Sequence, residues 1–295
     1  MDRWDVAIVG GGVLGTSVAY WLASRFEGKI AVVEREDQVA MHASGRNTGV
    51  VHRPFYLHPQ ERKLFARASL LSFPLWKSYA TVKGLPWAET GTLKVAVSEE
   101  QVKSLERNLE YARANGMDLS ELELLDSKGV AGIEPEVKCA GALLVKTDTT
   151  VDFGAFTQSL RQDAESMGVS FLTCSEVVGM DDRGGEPVLL TNTRNQEIIS
   201  RLVVNCAGGN AVDVAHMFGL AGDYADMHFR GEYWAVDSRV ASLVSRNVYC
   251  VPRQGEFPFL DPHWIVRVDG RREIGPNAVP VPGPTVYEGV IRNGP

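Results

Sequence analysis

Apolar residues run almost without alternation through the stretch "DVAIVGGGVLGTSVAYWLA" that begins at Asp5. A strand buried on both faces of a parallel sheet has this pattern, and the residues after the glycines predict a helix. "KIAVVERED" supplies a second buried strand that ends at Glu34. The pattern then breaks. "MHASGRNTGVVHRPFY" is too rich in Ser, Gly, Asn and His for a core and reads as a loop pressed against something. Apolar positions three and four apart predict helices around Glu61 to Tyr79 and Glu99 to Ala114, with the strand-like "GTLKVAV" between them. From Gly141 the order is strand, loop, helix, strand, with Asp152 as the N-cap and "VSFLTC" as the buried strand beyond Gly168. "PVLLTN" and "EIISRLVVNCAGGNAVDVAHMFG" predict a hairpin-like excursion, a buried strand at Leu202 to Cys206 and a glycine turn into a helix. The remainder is aromatic and β-branched with turn signals, Asp269-Gly270 among them, which suits an antiparallel sheet. The chain closes on the Pro- and Gly-rich "PVPGPTVYEGVIRNGP".

Gly10, Gly12 and Gly15 fit the G-x-G-x-x-G spacing between strand and helix. The first glycine permits the tight turn, the second lets a pyrophosphate approach the backbone, and the third lets helix and strand pack closely. Val13 and Leu14, inside the motif, would start the helix whose unpaired amides and positive dipole end face the phosphates. Glu34, followed by Arg35, falls near the spacing of about 20 residues at which an acid receives a ribose hydroxyl. A carboxylate there repels a 2′-phosphate, so NADP is disfavoured and NAD and FAD remain.

Composition narrows the field further. A length of 295 residues suits one large or two medium domains, and 44% hydrophobic with 23% charged residues is ordinary for a globular protein. A formal net charge of -7 without a basic stripe argues against nucleic acid as a partner. Cys139, Cys174, Cys206 and Cys250 form no C-x-x-C pair, so neither a metal site nor a disulfide framework is expected. The absence of a signal-peptide pattern and of a long apolar span points to the cytoplasm, with peripheral contact at the inner face of a membrane left open.

The series "SGRNTGVVH", "EPEV", "VDFGAF", "VNCAGGNAVDVA", "FRGEY", "FPFLDPHW" and "GPNAV", following the glycine turn, resembles the FAD-dependent oxidoreductases of the D-amino-acid-oxidase superfamily, and within it the L-2-hydroxyglutarate dehydrogenase/oxidase branch. The resemblance implies FAD as cofactor. It implies an α/β chain with a discontinuous Rossmann-like FAD-binding domain, 1–75 and 141–216, and a substrate domain with a mixed or antiparallel sheet, 76–140 and 217–295. By the same resemblance Glu34 takes the adenosine ribose, and Ser44, Gly45, Arg46 and Asn47 run along the pyrophosphate and flavin. Val177 offers adenine a backbone contact, and Ala207 and Gly208 approach the pyrophosphate from the other side.

The implied reaction is oxidation of a 2-hydroxy acid to a 2-oxo acid, L-2-hydroxyglutarate to 2-oxoglutarate being the leading case. An amine or amino-acid oxidase is the alternative, and oxygen, a quinone or another protein would be the electron acceptor. His52 is the expected proton acceptor, since an imidazole suits a hydroxyl proton that leaves as hydride departs. Arg230, Tyr233 and Tyr56, with Asn277 weaker, are the expected partners of the substrate's carboxylates and hydroxyl. Tyr233 and Trp234 alternate along a strand, so only one faces a given cavity. Arg271 and Arg272 follow a turn and are expected to be exposed. Where the family usually has a small residue and a glycine, this chain has Arg53 and Pro54. Arg53 is therefore expected to bind a further carboxylate or to narrow the pocket. The family's closing strand and helix are not recognisable after "GPNAV", so a truncated FAD-binding fragment without catalytic competence stands beside the enzymatic expectation.

Overall fold

The computed structural model describes residues 3–193, 197–252 and 261–289. Phe257 to Leu260 of the "FPFLDPHW" motif and the end of the closing trail lie outside them. The chain divides into two compact units. The first comprises Met1–Asn47, Asp152–Phe229 and Pro280–Pro295, and the second Thr48–Val151 and Arg230–Val279.

The first unit is built on a six-stranded sheet in the order Val177–Asp182, Pro187–Thr191, Glu197–Asn205, Arg3–Val9, Ile30–Val33, Ser170–Leu172. Its last four strands are parallel. The first two add antiparallel pairs, so the expected excursion is a hairpin laid on the outer edge of Glu197–Asn205. The unbroken apolar runs of Arg3–Val9 and Ile30–Val33 follow from burial on both faces, whereas the strands expected to be buried at Leu202 to Cys206 and in "VSFLTC" are not, Leu202 being exposed and Ser170–Leu172 half-buried at the sheet edge. Val6 and Ile8 of the first strand join Ala19 and Ala164 of the helices Val13–Ala23 and Phe153–Ser166. Ala7 and Val9 turn to the other face, with Val214 of the helix Ala211–Met217. Asp152 caps the helix Phe153–Ser166, its carboxylate accepting the Ala155 N–H at 3.0 Å.

The second unit holds a seven-stranded sheet in the order Trp234–Ala235, Arg272–Gly275, His263–Val266, Asn247–Cys250, Thr92–Ala96, Gly141–Val145, Leu122–Asp126. It is mixed, because Asn247–Cys250 runs parallel to Thr92–Ala96 while the other pairs are antiparallel. The helix Glu99–Asn115 brings Leu105 and Ala112 onto Leu143 and Val145. Asp269-Gly270 makes the turn between His263–Val266 and Arg272–Gly275, with Gly270 at φ +90°. A small sheet orders Val50–Val51, Thr149–Val151 and Trp87–Ala88.

Residues 48–75 and 141–151 fall in the second unit and residues 217–229 and 280–289 in the first, unlike the boundaries that the resemblance implies. The reason is long-range pairing. Val50 and Val51 ladder onto Thr150 and Thr149, and Leu70 packs against the core cluster beneath the helix Glu99–Asn115.

The glycine turn is sterically closed. A Cβ on Gly15 would lie 1.9 Å from the Gly10 carbonyl oxygen, and one on Gly10, at φ +106°, would lie 2.4 Å from the Cys206 carbonyl oxygen. Gly15→Ala is therefore expected to destabilise the fold by about 2–3 kcal/mol, the cost of overpacking a site that cannot relax, as measured by urea unfolding.

Candidate active site

In the first unit the loop after the first strand converges on the end of the second. Glu34 is buried, and its carboxylate accepts the N–H of Gly11 at 2.5 Å and of Glu36 at 2.9 Å. The helix Val13–Ala23 starts without an acidic residue in its first turn, and only the Ser44 hydroxyl, 2.8 Å from the Val13 N–H, caps it. Such an end offers amide donors and positive potential to an anion. The Leu14 side chain points to solvent. Gly45 approaches the Ala40 carbonyl too closely to carry a Cβ, and Asn47 braces the loop through the carbonyls of Ala43 and Ser44. Arg35 reaches Asn210 at 3.1 Å, beside the Ala207–Gly208 turn, where Gly208 adopts φ +59°. Val177 opens the edge strand of the sheet, two residues after Ser175, whose N–H donates to the Glu34 carbonyl. Tyr287 was not anticipated: its hydroxyl lies 2.7 Å from His42 Nδ1, and the Arg46 guanidinium stacks 4.0 Å from its ring centroid.

In the second unit His52 follows the strand Val50–Val51. Its Nδ1 lies 2.7 Å from Oδ2 of Asp148, a side chain with 0% exposure whose Oδ1 accepts the Arg53 N–H at 2.7 Å. The imidazole meets the rings of Tyr249 and Tyr56 edge-on, at 5.2 and 6.1 Å between centroids. His52, Arg53, Pro54, Tyr56, Leu57, Arg62, Phe65 and Ser69 line a cavity of about 480 Å³. Arg62 has no carboxylate partner among the described residues; its guanidinium sits 5.8 Å from the Phe65 ring centroid.

The other candidates are placed as follows. Arg53 is buried, and its guanidinium makes two bonds to Glu121, at 2.9 and 3.2 Å, while stacking on Phe73. Arg230 lies 2.6 Å from Glu232, which also exchanges hydrogen bonds with Asn277. Tyr233 turns inward and its hydroxyl lies 3.3 Å from His263 Nε2, whereas Trp234 is exposed, as their alternation requires. Arg271 is exposed, but Arg272 is half-buried because its guanidinium folds back 2.6 Å from the Gly270 carbonyl.

Sequence reasoning missed Asp148, Tyr249, His263 and Arg62. His263 stands inside a quoted motif without a role, and Asp148 is a lone acid between two apolar strands, a residue that needs donors once buried. His263 stacks on Tyr249 at 4.2 Å and donates from Nδ1 to the Asp261 carbonyl, so its Nε2 accepts from Tyr233. Burial pushes His263 down to about 4 and Tyr233 up to about 12. Tyr249 is also raised by burial, as is Tyr56, with the Asp148 charge adding to both. The array is thus neutral. Lys94, beside Tyr249 in register, is pushed down to about 8 by burial and by Arg107. No group of three or more His, Cys, Asp or Glu residues among those described could hold a metal ion, and none of their helices is long and apolar enough to cross a membrane.

The first unit carries the glycine turn and acid of a dinucleotide-binding fold, and the second a cavity lined by an imidazole. Residues 5–291 match the family model of FAD dependent oxidoreductases, DAO, and the chain belongs to that family. It is 32% identical over 291 residues to the human mitochondrial L-2-hydroxyglutarate dehydrogenase, covering 94% of this chain and 61% of that protein. It is 28% identical over 277 residues to an Escherichia coli L-2-hydroxyglutarate dehydrogenase, covering 94% and 64%. The chain therefore spans somewhat under two thirds of these relatives. Among solved structures, L-alpha-glycerophosphate oxidase from Mycoplasma pneumoniae with FAD bound superposes with a TM-score of 0.83 at 26% identity, over 97% of this chain and 74% of that one. Glycine oxidase from Geobacillus kaustophilus shares the fold, with a TM-score of 0.79 at 24% identity over 95% and 72%. The Glu34 carboxylate, the glycine turn and the acid-free helix start are a donor and acceptor set that fits the ribose and pyrophosphate of FAD.

His263 gives a pH signature. Its folded-state pKa lies below the ordinary value of 6.5, so the unfolded chain binds the extra proton and stability falls as pH drops from 6.5 towards 4. At pH 5 the loss is expected to be about 2 kcal/mol, absent in His263→Gln, as measured by urea unfolding at both pH values.

Proposed function

We propose that the chain carries out FAD-dependent oxidation of a 2-hydroxy acid to a 2-oxo acid, with L-2-hydroxyglutarate as substrate. The observation that carries this reading is an imidazole with one nitrogen tied to a buried carboxylate and the other, Nε2, without a partner among the described residues, in a cavity shared with Arg62. His52 Nε2 takes the proton of the substrate hydroxyl as the C2–H bond breaks, which spares the forming carbonyl a protonated oxygen. FAD, when bound, accepts the hydride. In the first unit Glu34 would hold the ribose, with the glycine turn, Ser44 and the start of the helix Val13–Ala23 holding the pyrophosphate. Arg62 would bind the carboxylate remote from C2, because Arg53 and Arg230 already have carboxylate partners inside the protein. The relatives named L-2-hydroxyglutarate dehydrogenase support the choice of substrate. Tyr56 and the neutral Tyr249–His263–Tyr233 array supply protonated donors without adding negative charge near an anionic substrate.

Three measurements test the reading. Anaerobic L-2-hydroxyglutarate should bleach the visible band of the FAD-loaded protein, and His52→Gln should slow that bleaching by about 100-fold, the lower range for a positioned base. Ammonia release from amino acids with no bleaching by hydroxy acids would replace the proposal with amine oxidation. Arg62→Ala should raise KM for the dicarboxylic acid about tenfold, the loss of one charged hydrogen bond, and leave a monocarboxylic 2-hydroxy acid unaffected.

A further inference from the structure

The residues around His52 are bound to one another more tightly than a substrate pocket requires. The antiparallel ladder pairs Val50 with Thr150 and Val51 with Thr149, so the next step of the register sets residue 52 opposite residue 148. Their side chains meet as a cross-strand pair at 2.7 Å. Asp148 is fully buried, and a carboxylate in that position is tolerated only when hydrogen-bonded donors surround it. Its two donors come from consecutive residues, the imidazole of His52 and the main-chain N–H of Arg53.

A second tie runs alongside the first. Arg53 donates twice to Glu121, whose Oε2 also accepts the Thr147 hydroxyl at 2.5 Å and whose carbonyl accepts the Lys146 N–H at 2.8 Å. Residues 52–53 are therefore fastened to residues 146–148 through both main chain and side chains. A two-point guanidinium–carboxylate contact has a fixed geometry, unlike a single ammonium contact.

We infer that Asp148 is the positioning residue for His52, and that Arg53, which lines the same cavity, holds the pair in register through Glu121 and Thr147. The inference rests on His52 being the base. As acceptor of the Nδ1–H, Asp148 selects the tautomer whose Nε2 lone pair is available for a proton, and it stabilises the imidazolium formed once that proton arrives. The unusual Arg53 thus acquires a function: it cancels the Glu121 charge, while its own N–H completes the Asp148 shell.

The test reads the ring directly. In protein labelled with nitrogen-15 at histidine, at alkaline pH, His52 is expected to carry its proton on Nδ1. In Asp148→Asn the amide oxygen stays with the Arg53 N–H and the NH2 group donates to the ring, so the proton should move to Nε2. Turnover of the FAD-loaded Asp148→Asn protein should then fall about 100-fold with KM changed less than about twofold. An unmodified His52 protonated on Nε2, or a tautomer unchanged in Asp148→Asn, overturns the inference, and the first of these needs no variant to fold. Arg53→Met should lower kcat equally for dicarboxylic and monocarboxylic 2-hydroxy acids, whereas a KM increase confined to the dicarboxylic acid would return Arg53 to the substrate. Failure of the base assignment itself would show separately, as unchanged flavin reduction in His52→Gln while the tautomer measurement stood.

Discussion

Asp148 carries a charge into a place that water does not reach, and the surrounding second unit is arranged to meet that cost. Two N–H donors are needed, and the chain provides them from the two residues that follow the strand Val50–Val51, which is paired with the strand Thr149–Val151 that follows Asp148. This constraint sets the direction in which residues 52–57 leave the small sheet. It thereby sets which groups line the cavity: His52, Arg53, Pro54, Tyr56 and Leu57 from the turn itself, and Arg62, Phe65 and Ser69 from the helical segment that follows. It also explains why an arginine follows the histidine, since the Arg53–Glu121 contact holds the same turn from the other side.

Charge is distributed around this point with economy. Arg53 and Arg230 have their carboxylates in Glu121 and Glu232, and Arg267 has one in Glu273. His263 is held neutral by burial, and Tyr233 and Tyr249 are held protonated. Of the two arginines that line the His52 cavity, Arg53 is bound to Glu121, and Arg62 has no carboxylate partner among the described residues. Residue type alone would rank these arginines equally. Their internal partners distinguish them.

The first unit solves a different problem with similar means. Its glycine turn brings main chain within contact of main chain, Gly15 against Gly10 and Gly10 against Cys206, which only residues without a Cβ allow. Glu34 accepts the Gly11 and Glu36 amides, so the acid that would receive a ribose hydroxyl is also the group that ties the turn to the second strand. Binding and folding share that carboxylate, and the helix start is left without an acid that would compete with phosphate.

The parallel strands, the glycine turn, Glu34 and the Asp152 cap were readable from residue order because each depends on contacts within a few tens of residues, or on the period of a strand or helix. His52 was readable as a candidate for a similar reason, standing just after the strand in the loop "SGRNTGVVH". Asp148 was not. One acid in "VKTDTTV" has no periodicity, and the histidine it orients is 96 positions away. Arg53 lines the cavity, and its bond to Glu121, 68 residues later, was not readable either. Local geometry is short-ranged and survives reading in one dimension. The pairing of buried charges is long-ranged, because each must find its partner wherever the sheet register brings one, and so only the folded chain decided which cations were left for a ligand.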